Sequence, residues 1–337
     1  MAGDPPQLML PTRRVAASIL ALTLAAHLLG CGSNATLALL SDTETVPATF
    51  STAACFIADN VPPSVSSTVI SKTVPYLPGF IRQGGTYHVY ANVTDGGCAP
   101  SGIATVRANV STITTGSTAV VLSAGSFTVG GVAYNYRSAS LTANATLTAG
   151  AKAYTITSTD NAANGQTQTG YSVTVDNTRP TATNVQTANG AAIVGRPELG
   201  DSVALTFSEI IDPQSVLAGW TGTATNVVVR ITNNAGGDLL TIRNAANTAQ
   251  LPLGSINLIG TAYVTANRDF GATGTASTMV QSGATITITL GTASGATGTQ
   301  VTTGTMTLTP TTTLTDAAGN TCQTTVANET GAADVEF

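Results

Sequence analysis

The chain has 337 residues, enough for two cores of ordinary size, with only 9% charged and 5% aromatic side chains and a formal charge of −5. Its basic residues gather nowhere outside Arg13-Arg14, which excludes the basic patch or stripe of a nucleic-acid binder. Val, Ile and Leu interleaved with Thr, Ser, Asn and Gly exclude a disordered chain and suit many short strands joined by polar turns.

Arg13-Arg14, the apolar run Val15 to Leu29 and, in Thr36-Leu37-Ala38, small residues at the two positions a signal peptidase reads predict a signal peptide over 1–38, so the product is expected to be secreted, extracellular or held at the cell surface. An uncleaved anchor is the alternative, but Gly30, Gly32, Ser33 and Asn34 interrupt a run already short of the ~20 residues a span needs. No later segment is expected to cross a bilayer. Leu28-Leu29-Gly30-Cys31 resembles a lipobox, which makes Cys31 a candidate for lipidation. Downstream, Ala38-Leu39-Leu40-Ser41-Asp42-Thr43-Glu44-Thr45 and Thr49-Phe50-Ser51-Thr52-Ala53 resemble the leader-to-mature junction of TasA/camelysin-type surface proteins, which the SipW signal peptidase processes. The resemblance implies that 39–60 is an extended segment able to act as a donor strand for a neighbouring subunit. Leu39-Leu40 and Ala54-Cys55 depart from that pattern.

Cleavage leaves Cys55, Cys98 and Cys322, an odd number in an oxidising compartment. Cys55 and Cys98 belong to one unit and form the expected disulfide, worth about 4 kcal/mol in the loop-entropy picture. Cys322 remains as a buried free thiol, an intermolecular link or an alternative partner.

The first module is expected over 61–178. Alternating runs at Val65 to Thr73, Thr86 to Thr94, Ile103 to Val110, Thr118 to Ser123, Ser126 to Val129, Val132 to Tyr136 and Ser138 to Ala143 lead to a hairpin of Tyr154 to Thr159 and Tyr171 to Val175. In the second strand Tyr87, Val89, Ala91 and Val93 share one face, and Gly130-Gly131 marks a tight turn. Seven or so strands without a credible helix predict a two-sheet sandwich. The closing run Tyr154…Thr159-Asp160-x-Ala162…Val173-Thr174-Val175-Asp176-Asn177-Thr178-x-Pro180 resembles the last strands and exit of bacterial Ig-like surface domains. Tyr154 is either the corner tyrosine of such sandwiches or a plain core aromatic.

A second module is expected over 179–337. Gly200-Asp201-Ser202-Val203-Ala204-Leu205-Thr206-Phe207-Ser208-Glu209, followed by Asp212-Pro213, resembles the early strand and turn of S-layer-type Ig-like modules, with Val203, Leu205 and Phe207 inward. Further strands are expected at Asn226 to Thr232, Leu239 to Arg243, Ser255 to Ile259, Thr285 to Leu290 and Thr305 to Leu308, with an edge strand at Asp334-Val335-Glu336-Phe337. Gln214 to Trp220, capped by Asp212, is the one helical turn expected. Ala262 to Ser282 reads as a long exposed loop. Thr315-Asp316-Ala317-Ala318-Gly319-Asn320 repeats the T-D-x-A-x-N spacing of the Asp160 hairpin tip. The fold class is therefore all-β, with two tandem Ig-like β-sandwich domains behind a signal peptide.

Chemistry is sparse. After the leader His88 is the only histidine, and it sits inside a strand pattern, so a Ser-His-Asp constellation has no loop to occupy. Neither a Gly-x-Ser-x-Gly elbow nor a His-Glu-x-x-His pair occurs, and no cofactor is expected. Asp95, Asp160, Asp176 and Asp316 fall in loops at the sandwich ends, where they are weak candidates for calcium; the competing reading is that each only caps its own turn. Two function classes follow. The first is a non-catalytic secreted structural or adhesive protein that binds cell-envelope or extracellular-matrix components, or its own copies through its N-terminal strand. The second is an accessory module for polysaccharide, which needs an exposed aromatic strip from Tyr134, Tyr136 and Trp220.

Overall fold

The computed structural model describes residues 58–73, 77–97 and 99–337. The leader, Cys31, most of the 39–60 segment and the Cys55–Cys98 pair lie outside the described residues. Its regular secondary structure is nearly all strand, with one short helix, and no helix among the described residues is long and apolar enough to cross a membrane.

The first nine strands are β1 (Ser64–Lys72), β2 (Phe80–Ile81), β3 (Thr86–Thr94), β4 (Ile103–Asn109), β5 (Val120–Val129), β6 (Val132–Ser138), β7 (Leu141–Thr142), β8 (Gly150–Asp160) and β9 (Gly165–Val175). They form one hydrogen-bonded path, β1-β3-β6-β5-β4-β8-β9-β2, with β7 on β3. The path folds into two layers because β5 changes partners, pairing with β4 at Val120 and Val121 and with β6 from Leu122 onward. Tyr87, Val89, Ala91 and Val93 point between the layers, where they meet Val106, Ala108, Tyr154, Ile156, Val173 and Val175. Val129 opposes Val132 across Gly130-Gly131, both glycines at positive φ, which is the tight turn the sequence signalled. The outer face of β3 is covered too, since Tyr90, Val129 and Tyr134 form a small separate cluster.

The remaining strands are β10 (Ala182–Ala188), β11 (Ser202–Phe207), β12 (Thr225–Thr232), β13 (Leu239–Asn244), β14 (Ser255–Asn257), β15 (Arg268–Phe270), β16 (Ser277–Ser282), β17 (Thr285–Thr289), β18 (Thr307–Thr309) and β19 (Ala327–Asn328), with helix α1 (Pro213–Val216) after β11. Their path, β10-β11-β17-β16-β12-β13-β14-β18-β19 with β15 on β12, rolls until its two ends meet. At that seam Gln186 Nε2 donates to Glu329 Oε1 at 2.8 Å, and Thr330 N donates to Asn184 Oδ1 at 2.9 Å. Val203, Leu205 and Phe207 face inward as expected, and Asp212 caps α1 by accepting from Gln214 N.

Two expectations, for 262–282 and 334–337, are corrected, and two alternatives left open, for Tyr154 and Cys322, are resolved. Ala262 to Ser282 is not an exposed loop: it contributes β15 and β16 and buries Tyr263, Val264, Phe270 and Met279. Its Gly/Ala/Thr composition hid a strand because the apolar side chains are spaced apart and anchored singly. Asp334-Val335-Glu336-Phe337 forms a single bridge to Gly304 rather than a strand, and Phe337 turns into the core against Tyr263. Tyr154 is a core aromatic, its hydroxyl donating across the sandwich to Thr68 Oγ1 at 3.3 Å instead of back to nearby main chain. Cys322 is a buried free thiol, its Sγ donating to Gln323 O, and burial pushes its pKa up.

Candidate metal centres at the sheet ends

The two hairpin tips that share a sequence pattern share a structure. Asp160 accepts from Asn164 N and Asn164 Nδ2, both at 2.8 Å, and its own N–H donates to Asn164 O at 3.1 Å. Asp316 and Asn320 make the same three bonds at 2.8, 2.8 and 3.1 Å. An Asp accepting from main chain four residues on closes the tip into an Asx-type loop, which requires left-handed backbone just before the Asn. Ala163 adopts it at φ 68°, and its counterpart Gly319 at φ 92°.

Each tip is also tied to the segment leading into its sheet. Asn164 Nδ2 donates to Asp59 O at 3.1 Å, and Asn320 Nδ2 donates to Asp176 O at 2.9 Å. Asp59 Oδ1 accepts from Val61 N, as Asp176 Oδ1 does from Thr178 N, so both lead-ins begin with the same Asx turn. The signal for this lies in the sequence and was missed: Asp59-Asn60-Val61-Pro62-Pro63 and Asp176-Asn177-Thr178-Arg179-Pro180 are both D-N-x-x-P.

A third acid completes each group, from just past the second long strand of its sheet: Asp95 after β3, Glu209 after β11. One carboxylate oxygen from each of Asp59, Asp95 and Asp160 lies within 4.8 Å of the others, and the same holds for Asp176, Glu209 and Asp316. Of the calcium candidates read from the sequence, the structure thus joins Asp95 with Asp160, and Asp176 with Asp316. Asp59 and Glu209 are the additions.

The electrostatics follow from crowding acids. Glu209 is pushed up to about 7, first by burial and then by Asp316 and Asp176. Burial also raises Asp316 against the bonds it accepts from Asn320 and Gly319, whereas bonds from Ser101 hold Asp59 below the usual carboxylate range. Asp95 Oδ2 accepts from Gly102 N at 2.7 Å while its Oδ1, shielded from solvent, has no partner. Three oxygens converging with one left unbonded fit a hard cation such as calcium, whose ligands are carboxylates at 2.3–2.6 Å. Lys72, which donates to the main-chain oxygen of Asp316, has its charge paired with Asp212.

The other candidates have structural occupations. His88 is buried with its Nδ1–H donating to Ser138 O at 3.0 Å, which fixes the tautomer and leaves it in the sheet. Trp220 is 4% exposed with Nε1 donating to Thr223 O, and Tyr134 is 8% exposed, so these residues and half-buried Tyr136 present no aromatic strip. A cleft of about 310 Å³ lies beside Lys72, Arg82, Thr86, Asp212, Ser215 and Gly319, and the Lys72–Asp212 pair crosses it.

No protein-family profile matches the chain. No curated protein matches it either. Among solved structures it aligns with FdeC, an Escherichia coli adhesin, at 15% identity over 80% of this chain and 66% of that one, with a TM-score of 0.21.

Proposed function

We propose that this chain is a non-catalytic bacterial surface protein in which tandem Ig-like modules, 61–178 and 179–337, act as a stiff spacer or adhesive stalk after export. The single observation that supports this is the duplicated end apparatus: tip aspartate, lead-in aspartate and a third acid occur at equivalent places in both sheets. A catalytic centre needs one special constellation, whereas a spacer needs the same fastening at every junction. Calcium at Asp59/Asp95/Asp160 and Asp176/Glu209/Asp316 neutralises the crowded acids and clamps each lead-in to its tip, so that successive modules hold a fixed angle. Cell-envelope or matrix components are the binding partners of this reading, and the 39–60 segment its means of self-association. The polysaccharide reading is disfavoured by the burial of Tyr134 and Trp220.

Small-angle scattering and thermal melts of the exported form, with calcium and with chelator, test the proposal together with retention of protein-coated beads on matrix-coated surfaces. Calcium should raise the melting temperature and narrow the range of module orientations, and Asp160→Asn and Asp316→Asn should each blunt both effects. Identical behaviour with and without calcium, or beads that do not adhere, would count against it.

A further inference from the structure

A third group of acids sits at the seam where the second sheet closes, apart from the tips and with no counterpart in the first sheet among the described residues. Glu329 follows β19, and Asp334 is held by a reciprocal pair of main-chain bonds to Gly304 at 2.8 and 3.1 Å. These place one carboxylate oxygen each from Glu329, Asp334 and Glu336 within 4.8 Å of one another. Glu336 is 1% and Glu329 6% exposed, while Asp334 is open to solvent.

The donors around them do not suffice. Gln186 Nε2 serves Glu329 Oε1 at 2.8 Å and Met306 N serves its Oε2 at 3.3 Å. Thr187 Oγ1 serves Glu336 Oε2 at 2.7 Å and itself accepts from Phe337 N, and the Tyr263 hydroxyl accepts from Glu336 N rather than donating to the carboxylate. Glu336 Oε1 is left buried with no partner. The charged groups acting on Glu329 and Glu336 are each other and Asp334. A buried carboxylate oxygen with only acids for charged neighbours calls for a counter-charge.

We propose that Glu329, Asp334 and Glu336 hold a calcium ion that fastens the last residues of the second sheet to its first strand. A proton shared by Glu329 and Glu336 would satisfy those two but would not account for the convergence of Asp334, whose main chain is pinned to Gly304, on the same point. A divalent cation uses all three, and exposed Asp334 is its way in from solvent. Calcium suits an all-protein carboxylate cage of irregular shape, whereas magnesium keeps most of its waters and demands an octahedron.

Terbium stands in for calcium and emits when excited through a nearby tyrosine, and Tyr263 is bonded to the Glu336 main chain. Titrating the full chain at neutral pH should give tyrosine-sensitised emission that calcium displaces. Glu336→Gln and Asp334→Asn should each weaken this component at least about tenfold, since disturbing even the partners of a metal's ligands costs that much. Asp334→Asn, being at an exposed position, keeps the test valid if Glu336→Gln fails to fold. Calorimetry should show one calcium site fewer in either variant. An emission component and site count unchanged in both variants would overturn the proposal. So would stabilisation on mild acidification that both variants lose while calcium binding stays as in the wild type, since that marks a shared proton.

Discussion

The two sheets carry the same polar fastening on different cores. The first is a two-layer sandwich whose main strands run for 9 to 11 residues, β1, β3, β8 and β9 among them. The second is one rolled path with several strands of three residues, β14, β15 and β18, and much of its core comes from side chains outside strands, such as Leu251, Leu253, Leu258, Tyr263 and Val264. Carboxylate tips and lead-ins are thus independent of how the apolar interior is filled.

The comparison is broken most sharply through the cores. Phe270→Ala removes a fully buried ring held by a three-residue strand and should cost about 3–5 kcal/mol, seen as an earlier urea transition in the fluorescence of Trp220, the chain's one tryptophan. Ile156→Ala in the first sheet should cost about 2–5 kcal/mol by circular dichroism while leaving the Trp220 transition in place. If both variants shift both signals equally, the sheets unfold as one unit. Next, Lys72→Met strands Asp212, whose side chain is 3% exposed, and should destabilise by about 3 kcal/mol in chemical denaturation, because the pair joins the two sheets.

The tips allow a smaller, matched exchange. Gly319→Ala meets only ordinary contacts, Lys72 Cδ at 3.6 Å and Arg82 Nε at 3.8 Å, so it should cost about 1 kcal/mol of left-handed strain. Ala163→Gly at the equivalent place should gain about 0.5–1 kcal/mol, read as a rise in melting temperature. Opposite signs would establish that the two tips are one device.

The smallest effect is a pH slope, discounted because Glu209 is only half-buried. Its folded pKa, about 7 against an ordinary 4.5, means the folded chain holds the proton more tightly. That contribution to stability is therefore present at low pH and is lost as pH rises through about 7. In chelator, melting temperature should fall across this window, and Glu209→Gln should flatten the fall.

Much of the first sheet was legible because alternation over long strands leaves a period of two, as in Tyr87 to Val93 and Tyr154 to Thr159. In the second sheet β11, β12, β13, β14, β17 and β18 were legible as alternating runs, three-residue strands among them, whereas β10 was not, although it is seven residues long. The β15 and β16 region escaped because Gly271 lets the chain approach Ser277 so closely that an added Cβ would lie 2.1 Å from its main-chain nitrogen. Close backbone approach of this kind leaves no hydrophobic period to read. The acid groups were half visible: D-x-A-x-N marked Asp160 and Asp316, but Asp59 and Glu209 join them only through strand ends distant in sequence. The Glu336 group could not be read at all, because its burial depends on the roll of the sheet.

The hidden thiol of Cys322 turns the second sheet into its own reporter. An alkylating reagent can reach this sulfur only when the structure around it opens, so the fraction of the Cys322 peptide that is labelled measures how often the seam lets go. In an oxidising milieu the same shielding keeps neighbouring molecules from becoming covalently joined through it for as long as the sheet stays shut.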